Sequence, residues 1–378
     1  MVKNKPLSVV EISSKNLIHN IKQFKSFLNK KIKVSVAVKG NAYGHGLVEV
    51  ARAIENHVDY LQVNSLEELR LLRKVTKKEV LLLGFVNKAN LPEAINLGCQ
   101  LAVFSLPQLL EVENISKKLN MVTNIHVAVD ASFGREGLMS SELPKFFLKL
   151  NKCASVKLEG LYSHFANADD LENISHNQKQ IDVFENSIKL AREFGFENFQ
   201  THISATAGSL VFEKSKGSND LVRLGLGAYG LWPSSDLEKV FKNKINLKPV
   251  LSWKTKVAQV KILPKGSNIG YGLTYKTKSD QKVALIPQGY SDGLNRNLSN
   301  RGHVLIRGQK CKILGRVAMN MFIVDVDQLG GVRMGDEVVI LGKQGRSEIS
   351  ADDLASLLNT INYEVLTSIS PLLPRSLV

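Results

Sequence analysis

Cysteine is scarce: Cys99, Cys153 and Cys311 are the only three in 378 residues. They lie far apart and form no CxxC. The sequence therefore predicts neither a disulfide framework nor a metal site, and a reduced cytoplasm is the default compartment. Long apolar runs are also missing. The longest, such as Val80–Val86, are strand-sized and fall far short of the roughly 18 residues that suggest a membrane span. The start, MVKNKPLSVVEISS, has no apolar h-region, so no signal peptide is expected. Acidic residues are in deficit, 35 against 50 Lys plus Arg, for a formal charge of +15. The lysines, among them Lys22, Lys77, Lys179 and Lys256, are scattered rather than gathered in a stripe. That favours a generally basic surface over a nucleic-acid partner, and it also suits small acidic substrates and phosphorylated cofactors.

What is present is ordinary for a folded soluble protein: 44% hydrophobic and 22% charged residues, too apolar for a disordered chain. The length suggests two or three domains. Short runs rich in Val, Ile and Leu recur at Val34–Val38, Tyr60–Val63, Val80–Phe85, Leu101–Phe104, Ile125–Val129, Leu158–Tyr162, Gln200–Ile203 and Leu221–Leu224. Buried parallel strands have this composition. Helical patterns fall between them. Leu17, Ile21, Phe24 and Leu28 share one face, Ser65 and Glu68 fit a capping box, and a long helix is expected from about residue 173 to 194. Eight strands with intervening helices predict an α/β chain opening with a TIM (β/α)8 barrel over residues 1–240. An open doubly wound sheet is the competing arrangement. Beyond residue 241 the pattern changes. Val250–Leu263, Lys282–Pro287, His303–Ile306, Cys311–Leu314, Met321–Val326 and Glu337–Leu341 alternate between Gly-, Asn- and Asp-rich turns, which predicts a mainly β domain over 241–378.

The segment VSVAVKGNAYGHG ends an apolar strand in Lys39. Functional groups of a TIM barrel sit at the C-terminal ends of its strands. A lysine desolvated there has a lowered pKa and a lone pair free for Schiff-base chemistry. From spacing alone, a lysine snorkelling out of a strand end is the simpler reading.

The whole string changes that balance. AVKGNAYGHG closely resembles the pyridoxal 5'-phosphate signature of alanine racemases. Other landmarks follow in family order: YSHFANAD, VRLGLGAYG, IGYGLTY, IPQGYSDG and INYEVLTSISPLLPR. The resemblance runs from Lys39 to Tyr363, and six motifs in order identify the sequence as a member of that family. It implies a barrel followed by a β domain, pyridoxal phosphate as cofactor, and a homodimer with composite active sites. The implied reaction interconverts L- and D-alanine, supplying D-alanine for peptidoglycan, with no metal, nucleic acid or membrane partner.

Roles carry over only where residues match. Lys39 is the implied Schiff-base lysine and one of two catalytic bases. The second, needed on the opposite face of Cα, is implied to be Tyr271 of the partner subunit. Phenols ionise near pH 10, and His164 matches the histidine held to assist. Arg223 matches the arginine that faces the pyridine nitrogen. A guanidinium can only donate there, which weakens the ring as an electron sink and favours racemisation over transamination. Tyr43, Thr206, Gly225, Leu226 and Tyr363 align with the phosphate site. Arg135 and the partner's Met319 match the contacts to the substrate carboxylate, and Tyr290 matches the tyrosine that narrows the entrance.

There are departures. Ala205 replaces an asparagine near the cofactor. Ala128 stands where many members carry a lysine that becomes carbamylated and orients the arginine, and Asn320 stands where aspartate is usual. Arg135 is then to be held by an ion, by Asn320, or less rigidly. These changes keep open a racemase of another or broader range, such as serine or lysine. A barrel-type decarboxylase and a non-catalytic pyridoxal-phosphate-binding protein fit fewer motifs. His45 reads as structural, His126 as packing, and His202 as a supporting group.

Overall fold

Eight short apolar runs form eight parallel strands in a computed structural model that describes residues 6–212 and 219–378. Their ranges are Lys33–Ala37, Tyr60–Val63, Val80–Leu82, Gln100–Val103, Thr123–Ala128, Val156–Tyr162, Gln200–His202 and Leu221–Leu224. Each pairs with its neighbour in chain order, and the last pairs with the first through Lys33–Leu221 to Val36–Leu224. The remaining gap closes where Asp220 N–H donates to Thr201 O at 2.8 Å and Arg223 N–H to Ser204 O at 3.0 Å. This is the expected barrel and not an open sheet. Its strands are nearly all buried residues, because helices cover the outside and side chains fill the inside.

The covering helices follow the periodicity. Ser14–Phe27 buries Leu17, Ile21 and Phe24, and Ser175–Glu193 buries Phe184 and Ile188. The helix Leu66–Arg73 begins as expected, with Ser65 Oγ accepting from Glu68 N–H at 3.2 Å. The reciprocal half of the box is redirected. The Glu68 carboxylate accepts instead from Gly40 N–H at 2.6 Å and Asn64 N–H at 2.7 Å, so it ties the helix start to the turn after Lys39.

The chain gathers into two compact units. One comprises residues 15–40 and 50–248; the segment ending at Ser14 and residues 41–49 group with 249–378. The second unit is a sheet running Gln259–Leu263, Gln281–Ile286, Phe322–Asp325, Gln309–Leu314, His303–Ile306, Glu337–Gln344, Leu251–Lys256, Val9–Ile12 and Arg375–Leu377. Two features depart from the sequence pattern. The alternation of Val250–Leu263 breaks at buried Val257 into two strands. One pairs with Glu337–Gln344 and the other with Gln281–Ile286. Val9–Ile12, unassigned from sequence, lies antiparallel to Leu251–Lys256 and parallel to Arg375–Leu377. Among the described residues no helix is long and apolar enough to cross a membrane.

Candidate active site

The first barrel strand delivers Lys39, and the backbone then reverses hand. Gly40, Asn41, Ala42, Tyr43 and Gly44 have φ of 62°, 52°, 54°, 53° and 81°. A left-handed turn costs about 1–2 kcal/mol for each residue bearing a Cβ, so it persists only where its surroundings over-determine it. Ala42 is fully buried. Asn41 Oδ1 accepts from Leu47 N–H at 2.9 Å. The Nδ1 of His45 is 3.0 Å from the carbonyls of both Ala42 and Tyr43, so it carries the proton; His45 is structural, as read. A Cβ on Gly44 would stand 2.0 Å from the Leu366 carbonyl oxygen. The Gly44 carbonyl accepts from Arg375 Nη2 at 3.0 Å and, more loosely, Nε at 3.3 Å.

In the barrel unit the Lys39 amine is held below its usual pKa, first by burial and then by the charges of Arg135 and Arg223; Glu136 and Glu68 oppose them. Arg223, on the eighth strand, is 6% exposed. Its Nη1 donates to His202 Nδ1 at 2.5 Å and His202 O at 2.9 Å; its Nη2 faces Ser163 O at 2.7 Å, His164 Nδ1 at 3.1 Å and Ile203 O at 3.3 Å. Those contacts use both hydrogens on each terminal nitrogen. The N–H on Nε has no acceptor among the described residues. Burial lowers the guanidinium to about 10, which leaves it charged at neutral pH.

Because a guanidinium only donates, the neighbouring tautomers follow. His202 accepts at Nδ1 and therefore donates from Nε2 to His126 Nδ1 at 2.8 Å. His126 in turn donates from Nε2 to Gln100 Oε1 at 2.6 Å, and Gln100 Nε2 donates to Glu79 Oε2 at 3.0 Å. His164 accepts at Nδ1, which leaves the proton on Nε2. Burial and then the Arg223 charge press His164 and His126 down to about 3 and His202 well below its ordinary value. All three rings are neutral at physiological pH. Tyr162 stacks on His202 with centroids 5.2 Å apart, and its buried hydroxyl has no hydrogen-bond partner among the described residues.

Arg135 sits in a turn closed by Asp130, whose Oδ1 accepts from Phe133 N–H at 2.8 Å and Gly134 N–H at 3.0 Å. Its guanidinium lies 4.4 Å from the Phe133 ring centroid and pairs with Glu136. Neither holder expected for Arg135, an ion or Asn320, was a neighbouring glutamate. Ala128 is buried against Ala102 and Tyr162, and Asn320 Nδ2 donates to Ser291 Oγ at 2.8 Å.

The expected phosphate contacts fall in two groups. In the barrel unit Thr206 Oγ1 accepts from Gly225 N–H at 3.1 Å and Gly227 N–H at 3.2 Å. The Gly225 donor is thus engaged with the threonine rather than left over. Leu226 opens the 3-10 turn Leu226–Tyr229, where first-turn N–H groups lack helical acceptors. In the second unit the rings of Tyr43 and Tyr363 are 6.0 Å apart, and burial raises the Tyr43 phenol to about 12. Also there, Tyr290 N–H donates to Ala318 O and Ser291 N–H to Met319 O, which brings Tyr290 and Met319 to one loop pair. Tyr271, Tyr290 and Met319 are 72%, 43% and 55% exposed in the single chain.

The sequence reading missed Glu136, Tyr162, Gln100 and the joint role of His126 with His202. An acid directly after the arginine in Gly134-Arg135-Glu136-Gly137 was the available signal for the first. Histidines near the ends of two buried strands were the signal for the last.

Both halves of the chain match domains of one known family. The alanine racemase N-terminal domain matches residues 12–233 and the C-terminal domain residues 250–377. An alanine racemase of Caldanaerobacter subterraneus is 37% identical over 97% of this chain and 93% of its own. The Bacillus anthracis alanine racemase structure with bound L-Ala-P superposes with a TM-score of 0.91 at 32% identity, covering 99% of this chain and 95% of that one. The Bartonella henselae alanine racemase with covalently bound pyridoxal phosphate gives 0.85 at 26% identity, covering 99% and 100%. With both domains matched and the relatives spanned almost end to end, the chain belongs to the alanine racemase family.

Proposed function

We propose that this protein racemises alanine with pyridoxal phosphate, as a homodimer in a reduced cytoplasm. The observation that carries the reading is Arg223: a buried guanidinium with four N–H groups satisfied and the Nε–H left over. A ring nitrogen that accepts and stays unprotonated matches that donor. The other groups suit the same cofactor. Lys39 offers an amine of lowered pKa for an aldehyde, Tyr162 a buried hydroxyl without a partner, and Thr206 and Tyr363 hydroxyls for a phosphate.

When bound, pyridoxal phosphate supplies a conjugated ring that draws electrons from the substrate Cα and makes its hydrogen acidic. The chain's own residues do the rest. Lys39 takes or returns a proton on one face of Cα. Tyr271 of the second copy serves the other face, with Nε2–H of His164 as a nearby donor. Arg223 donates without yielding a proton, which restrains the ring and keeps reprotonation at Cα. Tyr43 and Leu226 complete the phosphate cradle, while the Gly225 N–H steadies the Thr206 hydroxyl oxygen. Arg135 and the second copy's Met319 N–H receive the substrate carboxylate, and the second copy's Tyr290 limits what enters. The exposure of Tyr271, Tyr290 and Met319 in one chain supports a second copy at the site. Three free cysteines suit a reducing compartment.

The test is a racemisation assay over a panel of L-amino acids, with and without added cofactor. Borohydride reduction and peptide mapping go with it. Alanine should be turned over and the pyridoxyl group should map to Lys39; Lys39→Ala should abolish both. A label on another lysine, or no turnover of alanine, would sink the reading.

A further inference from the structure

We propose that Glu136 is a positioning residue: a built-in carboxylate that grips one edge of Arg135 and turns the other edge toward the substrate carboxylate. This rests on the reading of Arg135 given above.

Arg135 Nε and Nη2 donate to the two oxygens of Glu136, the Nη2 to Oε1 contact at 2.9 Å. That two-point pair uses one edge of the guanidinium. Nη1 has no acceptor among the described residues, and Nη2 keeps a second hydrogen. Those hydrogens form another fork of the same geometry, suited to one more carboxylate. The plane of the fork is fixed independently by the Phe133 ring at 4.4 Å and by the Asp130-closed turn beneath it.

Stability does not account for the pair. The Arg135 and Glu136 side chains are 55% and 31% exposed, and ion pairs this open contribute about 0–1 kcal/mol. What the pair does supply is direction. A guanidinium on a free stem must give up rotamer freedom when it binds, and a held one has already lost it. Glu136 is open to solvent only in part, and its charge reaches the site: Lys39, Tyr162 and Arg223 all feel it. Burial works to raise its carboxyl, but the Arg135 hydrogen bond and the Arg135 and Lys39 charges bring it net below the usual range, so it is ionised at neutral pH. Within the barrel unit, position 128 is a buried alanine with no charge to offer, and Glu68 is spent on two backbone N–H groups.

Glu136→Gln keeps the shape, removes the charge and sets an amide NH2 against the guanidinium. In the cofactor-loaded enzyme it should raise the KM for L-alanine and the Ki for propionate together. The expected rise is about tenfold, the size of one lost charge-assisted hydrogen bond, with the loss carried by KM rather than kcat. A second readout does not depend on turnover. The 15N-labelled protein should show a slowly exchanging Arg135 Nε–H signal, assigned by its loss in Arg135→Lys, and this signal should exchange fast in Glu136→Gln. An unchanged KM and Ki with unchanged exchange would overturn the proposal. So would a fall in KM and Ki, which would make Glu136 a competitor for the substrate's place. Unaltered melting of the variant excludes misfolding. If the wild-type protein failed to racemise alanine, the functional reading would fall by itself, and the exchange measurement would still decide whether Glu136 holds Arg135.

Discussion

At the residue scale, the chain from Arg223 through His202 and His126 to Gln100 is a set of hydrogen bonds with every direction fixed by one donor-only group. It stays intact only while both imidazoles are neutral. His126 is held down to about 3, His202 well below the ordinary value, His164 to about 3 and His45 to about 4, all first by burial. In the unfolded chain histidines titrate near 6.5. Below that pH the unfolded state takes up protons that the folded state refuses, so stability is full above about 6.5 and declines as pH falls toward 4. The slope reaches about 1.4 kcal/mol per pH unit for each such histidine. Calorimetric melting from pH 8 to pH 4.5 should show this decline. His126→Leu should lower stability at pH 8 by about 1–3 kcal/mol, because Gln100 Oε1 and the His202 Nε2–H lose their partner. It should also flatten the acid limb. An acid limb as steep as that of the unmutated protein would mean that His126 is not the neutral link described.

At the element scale, the left-handed turn Gly40–Gly44 is held by tertiary contacts against its own propensity. Gly44→Ala would drive a Cβ into the Leu366 carbonyl at 2.0 Å, at a φ of +81°. Backbone atoms cannot swing aside, so a loss of about 3 kcal/mol or more is expected. Gly98→Ala also has positive φ, +66°, but meets nothing within 4 Å; it should lose only about 1 kcal/mol. Equal melting temperatures for the two variants would mean that close approach is not what selects glycine at 44. The contrast also marks how far sequence could be read. Barrel strands were legible because burial on both faces leaves a direct imprint, an unbroken apolar run. The cap at Ser65 was legible because its partner is three residues away. The partner of Val9–Ile12 was not, since that strand pairs with residues far along the chain. The turn's hand was hidden because Ala42 and Tyr43 carry no left-handed signal of their own. Of the proposed site residues, Lys39, Arg135, His164 and Arg223 were picked out through their motifs, and in the barrel unit they lie close enough to feel one another's charge. Glu136 was passed over because a charged residue in a turn ordinarily faces solvent. His126 was taken as packing because its value lies in a ring 76 residues away.

At the scale of the whole molecule, the groups proposed for one reaction belong to different compact units, and Tyr271 lies largely bare in the single chain. If each site takes its tyrosine from the other copy, Lys39→Ala and Tyr271→Phe proteins are individually crippled but complementary. Co-expressed or co-refolded, they should regain racemisation, because each mixed dimer contains one intact site. No gain in a sample whose mixed dimers are demonstrated by differential tagging would place both groups in the same copy. The Arg375 contact carries a different consequence. It joins Gly44 to a residue 331 positions later, and it engages the backbone just after Lys39. During synthesis the barrel strands can pair as they emerge. The turn that carries the lysine onward gains its holding contacts with Leu366 and Arg375 only once those residues have been made, the second of them 331 positions after Gly44. Commitment to a competent lysine loop therefore waits on residues made after the last barrel strand. A product stalled or cleaved before Arg375 would possess the complete barrel, Lys39 included, and still lack this hold on the turn beyond it.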